Sequence, residues 1–238
     1  MNCSCLRRRA VLAALMVSSL SAIGAGSDRP VFAADNEVAP AAATVNPVVL
    51  VLGDSISAEY GLSRGTGWVA KLADRMADRA GQWTVVNASI SGETTAGGRT
   101  RIKKLLERHR PALLLLELGG NDALRGLDLN ATAANLHQIA GQARTAGAQV
   151  VVLGMQVPPN YGRAYTERFA GIFSEVAARH DGELVPFLLS GIVGKPDTFQ
   201  PDGIHPTEAV QGQLLDTAWP AIERALGQLN PVRSAAAG

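Results

Sequence analysis

The chain has 238 residues with a formal net charge of +1, and both of its cysteines, Cys3 and Cys5, lie at its N-terminus. Removing the first 33 residues would take away four arginines and one aspartate, leaving 18 basic and 20 acidic residues and no cysteine. That charge gives no reason to expect nucleic acid as a partner, and a chain without cysteine has no disulfide framework, thiolate nucleophile or Cys-ligated metal site.

Residues 1–33 have the pattern of a secretory signal peptide. Three arginines, Arg7 to Arg9, precede an uncharged stretch of apolar and small residues from Ala10 to Ile23, and Val31 to Ala33 offers small residues for a signal peptidase. The apolar stretch is short for a membrane span, which needs ~20 residues, although an uncleaved N-terminal anchor is the alternative. We expect a periplasmic or secreted bacterial protein with no stable span after cleavage; the three arginines leave the Sec and twin-arginine export routes open.

The rest of the chain divides into a leader, one domain and a tail. Residues 34–46 are rich in alanine and predict a flexible leader. Residues 231–238 end in Ser-Ala-Ala-Ala-Gly and predict a disordered tail. Residues 47–230 between them are enough for one domain with a substantial core, and we expect a monomer.

Five apolar segments predict strands, and three of them, the first, third and fourth, are followed directly by a glycine. Continuous apolar runs of this kind are typical of strands buried on both faces of a sheet. Pro186 in the last segment indicates an edge strand, since proline cannot donate a hydrogen bond to a neighbouring strand. The segments are 48–52, 83–88, 112–118, 149–153 and 184–187.

Helical patterns fill the gaps between these segments. Trp68, Leu72 and Met76 recur at helix spacing, and further patterns span 99–108, 130–146, 165–179 and 207–229, the last with Pro206 placed to start it. Strands that alternate with helices predict an α/β fold with a parallel sheet and right-handed crossovers. In such sheets functional sites form outside the carboxyl ends of the strands.

Four short polar segments fall at strand ends or in loops and together supply the parts of an acyl-transfer site. Ser55 follows the first strand through a Gly-Asp turn and precedes a short helix-like stretch, whose N–H groups would favour an oxyanion. The G-x-S-x-G motif of α/β-hydrolases is absent because the second glycine is missing. Taken alone, Ser55 would be an ordinary cap after a strand.

A serine nucleophile needs a base within hydrogen-bond reach, and His205 is the best candidate among the four histidines. His109 and His180 end Arg-rich helical patterns, and His137 lies in mid-helix with no evident partner. Asp202 precedes His205 by three residues, so one turn can direct both side chains the same way. The carboxylate of Asp202 can then hold the imidazole in the tautomer that accepts the serine proton. The alternative is a plain turn followed by a residue next to a helix cap.

Two residues are candidate donors to an oxyanion. Asn121 offers a side-chain amide after the third strand, and Gly92 offers a backbone N–H in a loop where a side chain would obstruct approach. The alternatives are an Asx turn at Asn121 and a turn glycine at Gly92. The segment 154–165 is too long for a simple strand–helix link, so we expect Val157, Pro158 and Tyr161 in it to bind the acyl part of a substrate.

With these motifs in place, the chain resembles the SGNH (GDSL) hydrolase superfamily from Val48 to Leu229. The four residues that name the family match Ser55, Gly92, Asn121 and His205, one in each block. The sequence around them, including Pro158-Pro159-Asn160-Tyr161-Gly162, resembles that of the bacterial multifunctional thioesterase/protease/lysophospholipase subgroup (TesA-like). Glu93 departs from the aspartate expected in close relatives, without consequence for the chemistry.

The resemblance implies a flavodoxin-like three-layer α/β/α sandwich with a five-stranded parallel sheet. It also implies a serine esterase that acts on a small-molecule acyl ester, thioester or lipid without a cofactor. Ser55, Asp202 and His205 would be catalytic, and Ser55, Gly92 and Asn121 would form the oxyanion hole. Within the enzyme class, a carbohydrate acetylesterase is the nearest alternative.

Two other classes stay open at this point. Asp202, His205 and Glu208 share a spacing of three residues and could instead hold a metal that activates water, although Ser55 and Asn121 would then have no role. A non-catalytic binding module with a flavodoxin-like fold is the second alternative. No Ser/Thr-rich phosphate loop follows the first strand, which disfavours flavin binding.

Overall fold

A computed structural model describes residues 46–79 and 82–229. The predicted signal peptide, the predicted tail at 231–238 and all of the predicted leader except its last residue lie outside the described residues. Five strands are present: β1 (Val48–Gly53), β2 (Thr84–Asn87), β3 (Leu113–Glu117), β4 (Gln149–Leu153) and β5 (Glu183–Val185). They overlap the five predicted segments, with ends that differ by at most two residues.

The strands form one parallel sheet in the order β2-β1-β3-β4-β5. β1 lies next to the edge strand β2, and β3, β4 and β5 follow in order on its other side. β5 lies at an edge, as predicted, although Pro186 follows the strand and is not part of it. Because β1 and β3 are neighbours, the loops that follow them leave the sheet side by side, with Gly53 opposite Glu117 in the register.

Helices cover both faces of this sheet. They are α1 (Trp68–Ala77), α2 (Thr95–His109), α3 (Gly120–Leu124), α4 (Leu129–Thr145), α5 (Arg163–Arg179) and α6 (Gln211–Leu229). Helices α1 and α6 pack together, and α2, α4 and α5 form a second row in which α4 contacts both of its neighbours. The three-layer α/β/α architecture that the sequence predicted is confirmed. None of the helices at 46–79 and 82–229 is long and apolar enough to cross a membrane.

Helix α2 begins at Thr95, four residues before the predicted start. The Thr94 hydroxyl accepts a hydrogen bond from the Gly97 N–H, at 3.4 Å, and so caps the helix. Gly97 and Gly98 weakened the helical pattern in the sequence. Gly98 has a packing reason, because a Cβ there would stand 2.3 Å from the Leu118 side chain.

The start of the last helix was predicted wrongly. Helix α6 begins at Gln211, and a short 3₁₀ turn at Glu208–Val210 precedes it. Pro206 does not start a helix; it pairs with Phe199 in an isolated antiparallel bridge. This bridge ties the segment that carries Asp202 and His205 into a hairpin-like loop, which fixes both residues relative to the sheet.

The core lies between the sheet and the two helical layers. The side chains of β1 and β3 from Val49 to Leu52 and from Leu113 to Leu116 are buried, and Phe169 and Phe173 of α5 pack edge to face against each other. Burial continues to the carboxyl ends of both strands, where the polar residues Asp54 and Glu117 are also buried. The carboxyl ends of β1 and β3 are therefore shielded from water.

Candidate active site

Ser55, His205 and Asp202 form a hydrogen-bonded line at the carboxyl edge of the sheet. The Ser55 Oγ lies 2.8 Å from His205 Nε2, and His205 Nδ1 lies 2.7 Å from Asp202 Oδ2. With the proton on Nδ1, the imidazole donates to Asp202 and accepts from the Ser55 hydroxyl. This is the arrangement in which a histidine can remove a serine proton.

Asp202 is organised by the turn that it starts. Its Oδ1 accepts hydrogen bonds from the backbone N–H of Ile204, at 2.9 Å, and of His205, at 3.0 Å. These bonds, that of His205 foremost, together with the His205 side chain lower the pKa of Asp202 to about 2. The carboxylate that faces the imidazole is therefore ionised at neutral pH.

Tyr60 covers one side of the His205 ring, with 4.3 Å between ring centroids. Its backbone carbonyl accepts a hydrogen bond from the Gln200 side chain, at 2.9 Å, which joins the turn after β1 to the His205 loop. The sequence analysis did not single out Tyr60. Its only signal was an aromatic residue close after the candidate nucleophile.

The turn after β1 is not the start of a helix, contrary to the prediction. The N–H groups of Ser57 and Ala58 both donate to the Asp54 carbonyl, at 3.3 and 2.9 Å, and turns continue to Gly61. Ser55 therefore lies in a series of turns rather than at the start of a helix.

Gly92 adopts a left-handed conformation with φ +77°, which favours glycine over other residues. Its carbonyl accepts a hydrogen bond from Arg125 Nη2, at 2.9 Å, which fixes the orientation of the loop. Among residues 46–79 and 82–229, the N–H groups of Ser55 and Gly92 have no backbone or side-chain acceptor. Both residues line the same cavity, so both N–H groups are available to a ligand.

Asn121 lies in the first turn of α3, immediately after β3. Its Nδ2 donates to Asp54 Oδ2, at 3.0 Å, and it lines the cavity together with Ser55 and Gly92. One of the two amide hydrogens is therefore held by Asp54, and the other is left for a ligand. An Asx turn, the alternative interpretation, would not use the side-chain N–H in this way.

Asp122, the next residue, ties α3 to α2. Its two carboxylate oxygens accept from the Thr95 hydroxyl, at 2.5 Å, and from the Thr95 backbone N–H, at 2.9 Å. Asn135 of α4 adds a bond to the Thr95 hydroxyl, at 3.0 Å. The loop with Gly92 and the turn with Asn121 are thus braced against each other by buried polar contacts.

Two buried carboxyl groups, Asp54 and Glu117, lie beneath the nucleophile turn. Burial raises the pKa of Asp54 to about 6, against the opposing effect of hydrogen bonds from the Ile56 N–H and the Asn121 amide. Burial and the neighbouring Asp54 raise the pKa of Glu117 well above its ordinary value. The sequence analysis assigned no role to either residue. The available signal for Glu117 was its position as an acidic residue in a run of leucines.

A cavity of about 820 Å³ opens beside Ser55. Val157 and Pro158 line it, as the sequence predicted for acyl-binding residues, but Tyr161 does not. Tyr161 instead stacks on Tyr165, with 6.0 Å between ring centroids, and directs its hydroxyl at the Leu124 carbonyl. The cavity wall also includes apolar residues that the sequence analysis missed: Ile56, Leu124, Met155, Phe187, Leu189, Val193, Phe199 and Ile204.

The spacing of Asp202, His205 and Glu208 does not produce a metal-binding cluster. Glu208 turns away to accept the Ser63 N–H, at 3.3 Å, while Asp202 is engaged with His205. Over the stretches 46–79 and 82–229, no three His, Cys, Asp or Glu side chains are grouped so as to hold a metal ion.

His137, for which no partner was evident from the sequence, has one. Its Nδ1 lies 3.3 Å from His180 Nε2, so the two rings bridge α4 and the end of α5. Burial lowers the pKa of both imidazoles. Neither lines the cavity beside Ser55, so His205 is the histidine next to the candidate nucleophile.

Comparison with known proteins agrees with this geometry. The model of the GDSL-like Lipase/Acylhydrolase family matches residues 51–212. Esterase TesA of Pseudomonas aeruginosa is 49% identical over 175 residues, which cover 74% of this chain and 87% of that protein. Thioesterase 1/protease 1/lysophospholipase L1 of Escherichia coli is 40% identical over 168 residues, covering 71% of this chain and 79% of that protein.

Solved structures give the same result. The crystal structure of TesA superposes with a TM-score of 0.73 at 48% identity and covers 75% of this chain and 99% of its own. Esterase EstA from Pseudoalteromonas sp., inhibited by monoethylphosphonate, superposes with a TM-score of 0.71 at 35% identity and covers 76% and 98%. The chain belongs to the GDSL-like lipase/acylhydrolase family and is an ester hydrolase.

Proposed function

We propose that this protein is a serine esterase that cleaves acyl esters and thioesters with Ser55 as its nucleophile. The observation that carries the proposal is the continuous line from Ser55 Oγ through the His205 ring to Asp202, with distances of 2.8 and 2.7 Å. Ser55 and His205 lie on the wall of a largely apolar cavity, where an acyl group can be bound beside the hydroxyl.

The reaction has two halves. In the first, His205 Nε2 takes the Ser55 proton as the oxygen attacks the substrate carbonyl, and it then protonates the departing alcohol or thiol. In the second, His205 activates water, which cleaves the acyl-enzyme and regenerates the Ser55 hydroxyl. Asp202 stabilises the imidazolium that forms in each half without taking its proton.

The oxyanion that forms in each half needs donors fixed in advance. The backbone N–H groups of Ser55 and Gly92 and the second amide hydrogen of Asn121 are the three candidates, because all three residues line the cavity next to the nucleophile. Such donors are each worth ~3 to 4 kcal/mol of transition-state stabilisation in a site that excludes water.

The cavity favours an acyl chain over a sugar as the bound group. Val157, Phe187 and Val193 are among the apolar residues that form its wall, whereas a carbohydrate would require many polar partners. The curated relatives are named for esterase, thioesterase and lysophospholipase activities, which are all acyl transfers to water. We propose that this protein acts on the same class of acyl substrates. We also propose that it is a monomer and that its N-terminal segment directs its export.

The test is turnover of p-nitrophenyl esters by the mature chain. Wild type should release p-nitrophenol, and Ser55→Ala should retain the fold but lose nearly all turnover. Ser174→Ala on helix α5 is the matched control, since the Ser174 hydroxyl donates to the Gly171 carbonyl of its own helix. Full activity in Ser55→Ala would refute the proposal.

A further inference from the structure

Glu117 is a fully buried acidic side chain at the end of β3, and the reaction described above does not use it. Its Oε2 accepts the Ser57 hydroxyl, at 2.7 Å, and the Asp54 backbone N–H, at 3.2 Å. Its Oε1 is also buried and has no hydrogen-bond partner within residues 46–79 and 82–229. A carboxyl oxygen without a hydrogen-bond partner is costly to bury, so the presence of Glu117 in a run of leucines needs an explanation.

The two partners of Glu117 flank Ser55 in sequence. Asp54 comes immediately before the nucleophile and Ser57 two residues after it, so one oxygen of Glu117 holds the turn from both sides. Asn87 of β2 completes the support, because its Nδ2 donates to the Ser57 carbonyl, at 2.7 Å. The fit is close: a Cβ at Gly53 would stand 2.6 Å from Glu117 Oε2.

The surroundings of Glu117 contain a negative neighbour and no compensating cation. Asp54, after β1, is the charged group whose field reaches Glu117; Asp122 and His205 act on Asp54 in opposite directions. In the described part of the chain, Glu117 has no ion pair with Lys, Arg or His. Burial and Asp54 both raise the pKa of Glu117, in the direction that favours the uncharged acid.

We propose that Glu117 is a positioning residue for the nucleophile, and that it holds the Asp54–Ser57 turn as an uncharged carboxylic acid. This inference rests on the proposed function, since it concerns how Ser55 is kept 2.8 Å from His205 Nε2. The uncharged state suits the reaction. An ionised Glu117 beneath the turn would oppose the negative charge that develops on the substrate oxygen, whereas the neutral acid still accepts the two hydrogen bonds.

Two substitutions separate positioning from charge. Glu117→Gln keeps an uncharged oxygen acceptor of the same shape, so it should retain most of kcat. Glu117→Leu removes the acceptor, frees the turn and should lower kcat by ~10²-fold, the scale of a misplacement near 1 Å, with KM little changed. If Glu117→Leu does not fold, Ser57→Ala removes one of the two held groups and should lower kcat in the same direction by a smaller factor.

Infrared spectroscopy tests the protonation state without reference to activity. At pH 8, the wild type should show the C=O stretch of a buried protonated carboxyl, and Glu117→Gln should lack it. Asp122→Asn is the matched control and should keep the band, since it removes a buried carboxyl that bonds Thr95 and is not among the groups that shift the pKa of Glu117.

The outcomes are separable from those of the proposed function. Loss of activity in Ser55→Ala together with unchanged kcat in both Glu117→Leu and Ser57→Ala would leave the esterase proposal standing and overturn the positioning role. A wild type without the infrared band, or a Glu117→Gln variant as inactive as Glu117→Leu, would overturn the uncharged acid. Activity that survives in Ser55→Ala would remove the basis of both.

Discussion

Asp54 Oδ2 lies 3.0 Å from Asn121 Nδ2, and this contact joins the nucleophile turn to the first turn of α3. Asp54 is nearly fully buried, with only 2% of its surface exposed, so the bond is protected from competing water. One amide hydrogen is held by Asp54, and the other has no partner among the described residues.

We expect Asn121→Ala to lower kcat by ~10² to 10³ with KM little changed, because an oxyanion donor acts on the transition state rather than on the bound substrate. Steady-state kinetics on one activated ester give both constants. An increase confined to KM would make Asn121 a substrate-binding residue instead.

The Asp54–Asn121 contact predicts that the two residues act as a unit. Asp54→Ala should lower kcat, but the double variant Asp54→Ala/Asn121→Ala should lose little more than Asn121→Ala alone, since an absent amide cannot be misplaced. A double-mutant cycle on kcat measures this coupling. Losses that multiply independently would show that Asp54 does not act through Asn121.

The pH dependence of kcat/KM should not contain an ionisation of Asp202. Because the pKa of Asp202 is lowered to about 2, its carboxylate stays charged over the range in which an esterase can be assayed. Asp202→Asn removes the charge and can hold the wrong imidazole tautomer, so activity should fall. The loss should be smaller than the ~10⁴-fold known for a buried triad aspartate, because 36% of the Asp202 side chain is exposed and water can partly replace it.

The check is a pair of pH–rate profiles, for wild type and Asp202→Asn, on the same ester. Profiles that coincide in height and in acid limb would make Asp202 a turn residue and the site a Ser55–His205 dyad.

The cavity wall provides a matched pair of substitutions for acyl specificity. Val157→Ala removes buried apolar surface from the wall and should lower kcat/KM for long acyl esters by ~10-fold while acetyl esters are nearly unaffected. Tyr161→Ala, four residues along the same loop but outside the wall, should affect neither. A p-nitrophenyl ester series of increasing chain length tests this, and equal losses on short and long esters in Val157→Ala would reject an acyl-binding role.

Stability should respond to pH through Glu117 with a definite sign. The folded-state pKa of Glu117 lies above its ordinary value of 4.5, so above that pH the folded protein holds a proton that the unfolded chain has released. Its contribution to stability is therefore lost as pH rises through this window, by up to ~1.4 kcal/mol per pH unit.

Glu117→Gln has no such ionisation. The free energy of unfolding of Glu117→Gln minus that of wild type should therefore increase from pH 5 to pH 8 in urea titrations. A difference that is constant with pH would mean that Glu117 is ionised in the folded protein. A difference that decreases would mean that folding lowers the pKa of Glu117 instead of raising it.

The sheet and the four site segments could be predicted from the sequence because their signals are local. Apolar runs such as Val48–Leu52 mark buried strands, and the rule that sites form at the carboxyl ends of parallel strands brings Ser55 and Asn121 to one edge. The choice of His205 as the partner of Ser55, 150 residues away along the chain, came from its place beside Asp202 in a loop, and the resemblance to a known family then supported it.

What the sequence could not predict depends on contacts between distant segments. Whether Glu117 supports the nucleophile turn depends on the β1–β3 register, and the bond from Arg125 to the Gly92 carbonyl depends on how two loops meet. Tyr161 is the opposite case, a residue that was predicted to bind substrate but does not line the cavity. It lies in the expected loop, but its ring packs on Tyr165. Loop conformation, unlike strand burial, has no periodic pattern in the sequence.

The central claim, that Ser55 is the nucleophile, is tested most directly by covalent labelling. A phosphonate ester incubated with the mature protein should inactivate it with a stoichiometry of one, and peptide mass spectrometry should place the adduct on Ser55. Ser55→Ala should take up no label under the same conditions. An adduct on Ser57 or Ser91, or inactivation without any serine adduct, would contradict the account.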